Sequence, residues 1–115
     1  MPNASWTKEV PFAITVTDAN GIIIDMNDRS AVTFEKDGGR DLIGKQVLDC
    51  HPEPARSRLE SLLKEGSSNI YTIEKKGVKK IIVQTPWRVE GKLAGMVELS
   101  IELPADMQHF VRESL

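Results

Sequence analysis

The two side chains best suited to chemistry, Cys50 and His51, are adjacent within residues 41–65, which read DLIGKQVLDCHPEPARSRLESLLKE. A thiolate and an imidazole can form a nucleophile and its base, or supply two ligands to haem iron or a metal ion. Neither site is favoured, because consecutive side chains diverge and the second histidine, His109, lies far along the chain in the tail. We therefore expect no catalytic residue, no metal site and no enzyme activity. The pattern favours Cys50 as a small buried hydrophobic residue and His51 as part of a turn before a helix, and both stay candidate cofactor contacts.

The composition is typical of a soluble protein with one domain. The chain has 115 residues and a formal net charge of -2, so its bulk charge gives no attraction to nucleic acid or to an anionic membrane. No apolar run approaches the roughly 20 residues that cross a bilayer, and residues 1–3 do not begin a signal peptide. A single cysteine excludes an internal disulfide and fits a reducing compartment, so we expect a cytoplasmic protein. The initial methionine favours a complete chain.

The first half of the sequence predicts a β-hairpin followed by short helices. Residues 12–17 alternate between apolar and polar side chains, residues 18–21 supply turn chemistry, and residues 22–26 resume β character. Asn27 or Asp28 is a suitable N-cap for a helix that runs to about Phe34. Residues 1–10 show no clear periodicity and are interpreted as a lead-in to a domain at residues 11–104.

The second half predicts one longer helix and three strands. Pro52 and Pro54 fit the start of a helix over residues 54–65, and Gly66 fits its end. Strands are predicted at residues 69–74, 78–87 and 93–103, with hairpin turns at residues 75–77 and 90–92. Pro86 favours an edge or a bulge near the end of the second of these strands. The last strand places one set of apolar side chains on a single face: Leu93, Val97, Leu99, Ile101 and Leu103. The tail at residues 105–115 fits a helix with Met107, Phe110 and Val111 on one stripe.

These elements predict an α+β domain in which five antiparallel strands carry short helices on one face. Two segments and the final three-strand meander then resemble PAS domains, over about residues 10–104. TDANGIIIDMN at residues 17–27 is similar to the family pattern D-x-x-G-x-I-x-x-x-N, with matches at Asp18, Gly21, Ile23 and Asn27. DLIGKQVLDCHPEP is similar to the family segment E-L-I-G-K-x-x-x-x-x-x-H-P-E-D, with matches at Leu42, Gly44 and Pro52.

The resemblance implies a concave sheet face, covered by helices, that encloses a small-molecule or cofactor pocket or is filled by side chains. It also implies a convex face or flanking helices that form dimers. Four polar strand residues would orient a ligand if they face inward, and are ordinary strand-surface residues if they do not: Tyr71, Thr72, Gln84 and Thr85. The expected pocket residues are Phe34, Val47, Leu48, Leu59, Leu63, Tyr71, Thr85, Val97 and Leu99.

The resemblance also bears on cofactors. Haem-binding members of the family place a histidine ligand in the longer helix, at a position where this chain has Leu59. The flavin-binding photosensory branch needs a cysteine within Asn-Cys-Arg-Phe-Leu-Gln, whereas Cys50 lies in Asp-Cys-His-Pro. Haem and flavin are therefore disfavoured, and the cofactor, if there is one, is unknown.

The functional hypothesis is a sensor module of the PAS type that binds an unknown small ligand between sheet and helices. Because no catalytic effector is encoded, its output would pass through association, as a homodimer or with a separate signalling protein. The alternatives are a ligand-free dimerisation module with a filled core, or a haem or cofactor protein that uses Cys50 and His51.

Overall fold

A computed structural model describes residues 5–114 and contains a single five-stranded sheet with helices on one face. The strands are β1 Ala13–Asp18, β2 Ile23–Met26, β3 Asn69–Lys75, β4 Val78–Val89 and β5 Lys92–Glu102. The α-helices are α1 Ser5–Lys8, α2 Asp28–Thr33 and α3 Ala55–Glu65. Three 3-10 helices lie between α2 and α3, at Glu35–Asp37, Gly39–Leu42 and Val47–Cys50. All strand pairs are antiparallel in the order β2-β1-β5-β4-β3, which confirms the predicted α+β class.

The β-hairpins form where the sequence supplies turn residues. In the first, the Asp18 side chain accepts hydrogen bonds from the backbone N–H groups of Asn20 and Ile22, both at 2.9 Å. The β3–β4 and β4–β5 turns use Lys76-Gly77 and Glu90-Gly91, whose four φ angles are all positive. Two consecutive residues with positive φ define the tight turn whose twist matches paired strands. The turn residues therefore match the points at which the chain reverses direction.

Leucines at helical spacing attach α3 to the sheet. Leu59, Leu62 and Leu63 are buried at 3%, 6% and 9% exposure, and the helix ends at Gly66, which adopts the left-handed conformation as predicted. They belong to one core cluster with residues from β2, β5 and the 3-10 helices, namely Ile23, Met26, Leu42, Val47, Leu48 and Met96. The core therefore lies between the sheet and its helical cover.

The strand register determines which side chains of β5 face the helices. Thr15 of β1, which is buried on the helix side, pairs with Glu98, and Thr17 pairs with Met96. Directly opposed residues share a face, so Met96 and Glu98 point toward the helices. Val97, Leu99 and Ile101 point to the opposite, open face. The helices thus cover the more polar face of β5, whereas the usual rule places the apolar face inward.

A tryptophan spans the open face across the centre of the sheet. Trp87 of β4 lies opposite Gly95 of β5, and its indole N–H donates to the carbonyl of Thr17 in β1 at 2.9 Å. A Cβ on Gly95 would collide with that carbonyl oxygen, so only glycine permits this close approach. The register of β4 shifts just after Trp87, one residue past Pro86 and beyond the end of β3.

The ends of the described chain differ from expectation. The lead-in contains the four-residue helix α1, which is too short to show a periodic pattern. Residues 105–114 form a turn and irregular chain in place of a helix, and Met107, Phe110 and Val111 are exposed. Leu115 lies outside the described residues. Within residues 5–114, no helix has the length and apolar character needed to cross a membrane.

Asn27 joins the N-terminal segment, β1 and α2 through its side-chain amide. The Oδ1 atom accepts from the backbone N–H groups of Ile14 at 2.9 Å and Ser30 at 3.0 Å, which makes Asn27 the N-cap of α2. The Nδ2 group donates to the carbonyls of Thr7 and Phe12, both at 2.9 Å. Asn27 is buried at 7% exposure, so these bonds replace water that cannot reach the amide.

Replacing Asn27 should destabilise the domain in a way that separates its two roles. Asn27→Asp keeps the acceptor and the cap but loses both donors, and should lower the free energy of unfolding by about 2 kcal/mol; Asn27→Ala loses both roles and should cost about 3 kcal/mol. Urea denaturation monitored by circular dichroism measures both values. Asn20→Ala, in an exposed turn, is the control and should change stability by less than about 0.5 kcal/mol. An Asn27→Asp variant as stable as the wild type would contradict the donor role.

Candidate functional site

A cavity of about 100 Å³ lies between the sheet and its helical cover. Its floor comes from β1, β2 and β5, and its walls come from Phe34, the 3-10 helices and α3. Most of the lining is apolar, with Ile23, Met26, Phe34, Leu42, Val47, Leu59 and Met96, and the remainder is polar or ionisable, with Thr15, Thr17, Asp37, Cys50, His51 and Glu98. A recess of this kind, apolar with a few polar groups, is the usual form of a small-molecule site.

The two threonine hydroxyls in the cavity are already engaged. The Thr15 hydroxyl is 2.6 Å from the hydroxyl of Ser30, which is itself fully buried in α2. The Thr17 hydroxyl donates to the Asp18 carbonyl at 3.0 Å and accepts from the Met96 N–H at 3.3 Å. These bonds connect the strands of the cavity floor to each other and to α2. They leave the Glu98 carboxylate as the polar group of the floor with the most unused hydrogen-bonding capacity.

A row of hydrogen-bonded polar side chains crosses the sheet and ends at Glu98. The Arg58 guanidinium donates to Asn69 Oδ1 at 3.0 Å, and Asn69 Nδ2 donates to Gln84 Oε1 at 3.3 Å. Gln84, buried at 4% exposure, donates through Nε2 to Glu98 Oε2 at 3.0 Å. Asn69, Gln84 and Glu98 are direct cross-strand neighbours, which explains why the row is straight.

A second and more open recess of about 350 Å³ adjoins the cavity, and His51 lines both. Its remaining lining is Ala55, Arg58, Asn69, Tyr71 and Gln84. Partial burial raises the pKa of the Tyr71 hydroxyl, and the Glu98 carboxylate raises it further. Tyr71 therefore remains a protonated hydroxyl, able to donate a hydrogen bond, throughout the physiological range.

His51 presents a defined ring nitrogen to this region. Its Nδ1 lies 2.9 Å from the Val47 carbonyl, which can only accept, so Nδ1 carries the proton in that bond. Nε2 is then the ring nitrogen that this bond leaves available to a ligand. The turn predicted around His51 thus places an adaptable polar group between the cavity and the second recess.

Cys50 lies at the exposed rim of the cavity, so the expectation of a small buried residue is wrong. It ends the 3-10 helix Val47–Cys50, in which Val47 and Leu48 take the buried positions. Partial burial of the sulfur raises the pKa of the thiol, as do the carboxylates of Asp37 and Asp49, while Lys45 opposes them. A raised pKa leaves little thiolate at neutral pH, which makes the thiol a poor nucleophile. Among residues 5–114, no three His, Cys, Asp or Glu side chains gather to hold a metal ion.

The structure separates the predicted pocket residues into three groups. Phe34, Val47, Leu59, Cys50 and His51 line the cavity, and Tyr71 lines the second recess. Leu48 and Leu63 are buried in the adjoining core. The third group pairs across strands on the open face and faces away from the cavity: Thr85, Val97 and Leu99.

Met96 and Glu98, on the floor of the cavity, were not predicted as site residues from the sequence. Met96 and Glu98 alternate with Val97 and Leu99, so the period of two revealed both faces of β5. The alternation could not show which face of β5 meets the helices. The face with more apolar side chains, which includes Val97 and Leu99, is the open one. The pairing of Glu98 with Thr15 and Gln84 would have been informative, but register between distant strands is not encoded locally.

Comparison with known proteins identifies the fold. The sequence matches no protein-family model and no curated protein. A PAS domain of an HTR-like protein from Haloarcula marismortui is 15% identical, with 86% of this chain and 92% of that chain covered and a TM-score of 0.60. The Aer2 receptor from Vibrio cholerae, described as a dual PAS-heme oxygen sensor, is 17% identical, with 81% and 95% covered and a TM-score of 0.57.

A third similar structure is VqmA bound to DPO, which is 19% identical over 88% of this chain and 56% of that chain, with a TM-score of 0.62. VqmA from Vibrio cholerae has also been described as a dimer. The chain therefore has the PAS fold, which confirms the resemblance found in the sequence.

Larger side chains at two leucines of α3 should test the position of the cavity. Leu59→Phe can extend into the cavity and should change the free energy of unfolding by less than about 1 kcal/mol, whereas Leu62→Phe, buried without lining the cavity, should lose about 1–3 kcal/mol through overpacking. Chemical denaturation of the two variants and the wild type measures the difference. Equal destabilisation by both substitutions would show that no usable space adjoins Leu59.

The Cys50 environment predicts slow, pH-dependent alkylation. Because only the thiolate reacts and its pKa is raised, the rate with iodoacetamide should reach half its maximum above the roughly pH 8.5 of a free cysteine. Asp37→Asn removes one cause of the shift and should speed alkylation at neutral pH. Asp41→Asn is the control for a general change in charge and should leave the rate unchanged. A half-maximum below that of free cysteine would contradict the electrostatic assignment.

Proposed function

We propose that this chain is a PAS-type sensor module that binds a small molecule in the cavity between β1, β2, β5 and α3. The observation that carries the proposal is Glu98, a partly buried carboxylate that borders an otherwise mainly apolar cavity. An apolar side chain there would avoid the cost of covering a carboxylate whose Oε1 has no protein donor among the described residues. A ligand that donates hydrogen bonds to Glu98 would compensate for this cost.

The second recess and the row of polar side chains connect ligand binding in the cavity to α3. His51 lies between the two spaces, and Arg58 on α3 is linked through Asn69 and Gln84 to Glu98. A ligand that competes for Glu98 alters this row and with it the seating of α3 on the sheet. The change occurs only to the extent that the ligand binds the two arrangements with different affinity.

The output is proposed to pass through self-association on the open face of the sheet. This face carries partly exposed apolar side chains from the four strands β1, β5, β4 and β3: Ile14, Val16, Ile70, Ile81, Val83, Val97, Leu99 and Ile101. A contiguous apolar face of this kind is typical of an association surface. The dimeric state described for VqmA supports this part of the proposal by analogy of fold.

Native mass spectrometry of the freshly purified protein tests ligand and dimer together. We expect a dimer that carries additional mass, which is released when the protein is denatured. The Leu59→Phe variant, whose side chain occupies the cavity, should form the same dimer without that mass. Ligand in the cavity should also protect Cys50 at its rim from alkylation.

A dimer without additional mass, combined with no thermal shift across a panel of metabolites, would contradict the sensor proposal. That result would favour a ligand-free dimerisation module. A monomer that carries additional mass would support ligand binding and contradict the proposed output through self-association. An absorption band at about 400 nm in the purified protein would identify the ligand as haem and contradict the expectation drawn from Leu59.

A further inference from the structure

We infer that the cavity selects a small organic cation, an apolar body with one protonated amine, and that the ammonium group binds Glu98. This inference rests on the proposed function, since it assigns a ligand class to the same cavity. It follows from three properties of the lining, which are the sign of its charges, the unfilled hydrogen-bonding capacity of Glu98 and the volume available.

The formal charges on the lining have one sign. Asp37 at the rim and Glu98 on the floor are both acidic, and the described lining includes no lysine or arginine. The other ionisable groups are Cys50, whose raised pKa keeps it a neutral thiol, and His51, one nitrogen of which is held by Val47. Lys45 lies close enough to act on Cys50 at the rim but is not part of the lining. An anionic ligand inside the cavity would therefore meet two carboxylates without a lysine or arginine in the lining to pair with.

Arg58 does not change this balance, although it lies on the same side of the sheet. It lines the second recess and donates to Asn69, so two side chains, Asn69 and Gln84, separate it from Glu98. The row delivers to Glu98 a neutral amide N–H in place of a guanidinium. Glu98 thus keeps its net negative charge available to the cavity.

Glu98 also has hydrogen-bonding capacity that the protein leaves unused. Within the described residues its carboxylate accepts from Gln84 Nε2 through Oε2, whereas Oε1 has no protein donor. An ionised carboxylate has about four acceptor positions, and an ammonium group has three donors and no acceptor. The two groups are therefore complementary, and a hydrogen bond between opposite charges is stronger than one between neutral groups.

The apolar part of the lining suits a hydrocarbon body. Ile23, Met26, Phe34 and Leu42 line the cavity with apolar surface, and the hydroxyls of Thr15 and Thr17 are engaged elsewhere. A wholly apolar ligand would cover Glu98 without replacing the water it displaces, which is unfavourable. At about 100 Å³, the cavity is smaller than the roughly 150 Å³ that accommodates the six carbons of benzene, so a ligand enclosed by it has about four or five non-hydrogen atoms.

Three probes of similar shape and different charge test this inference: protonated n-butylamine, neutral n-butanol and anionic butyrate. Titrations of the whole protein followed by amide NMR shifts give the three affinities at neutral pH. We expect n-butylamine to bind about tenfold or more tightly than n-butanol, since it adds a hydrogen bond between charged groups, and butyrate to bind more weakly than either. Shifts should centre on Met96, Glu98 and Leu59.

Two matched variants identify the residue responsible. Glu98→Gln preserves the side-chain shape and can still accept from Gln84, and it should abolish the preference for the amine over the alcohol. Glu102→Gln makes the same change at an exposed site on the same strand and should preserve it. Comparing the two excludes a general effect of protein charge.

Each outcome decides a distinct point. Equal affinity for amine and alcohol, or a preference that survives Glu98→Gln, would overturn the cation inference while leaving the binding cavity in place. Tighter binding of butyrate would reverse the assigned ligand charge. No binding of any probe by the wild type would overturn the inference and, if native mass spectrometry also finds no ligand, the proposed function.

Discussion

The fold depends on one buried amide. Asn27 uses both lone pairs of its oxygen and both hydrogens of its nitrogen to join the N-terminal segment, the start of β1 and the start of α2. Since these four backbone groups come from separate parts of the sequence, the amide fixes where α2 leaves the sheet. That exit sets the position of Phe34 at the end of α2, and Phe34 forms part of the cavity wall. The amide of Asn27 thus supports the part of the cavity wall that Phe34 provides.

The two faces of the sheet contribute to the stability of the domain in different ways. On the helix-covered face, Asn69, Gln84, Glu98 and Thr15 form a continuous polar row, and packing depends on side chains supplied by α3 and the 3-10 helices. On the open face, β-branched and other apolar residues pack laterally and Trp87 bonds across to β1. The lateral packing stabilises the sheet independently of its cover. The helix-covered face can therefore carry polar groups that a conventional core would exclude.

The sequence predicts features whose causes are local. The turns at Asp18, Gly77 and Gly91, the cap at Asn27 and the stop at Gly66 each follow from a residue's own conformational or hydrogen-bonding preference, and each lies where predicted. Val97 and Leu99 lie outside the cavity, contrary to prediction, because apolar alternation shows two faces without showing which one is covered. Thr85 lies outside it because a polar residue on a strand does not indicate which way it faces. The exposure of Cys50 depends on the 3-10 helix that precedes it. The role of Glu98 depends on its pairing with Thr15 and Gln84 on other strands, so no local sequence pattern indicates it.

The two edges of the sheet differ, and this difference limits how the protein can aggregate. Along β2, backbone groups of Gly21 and Ile23 bond to residues 44–47, and Arg40 bonds to the Met26 carbonyl. β3, in contrast, pairs only with β4 within the described chain and exposes Ile70 and Ile73. An unpaired edge is a template for another strand. Because β3 is the edge left open along its length, joining two molecules through β3 consumes both open edges. Strand addition then stops at a closed pair and does not propagate into a fibre.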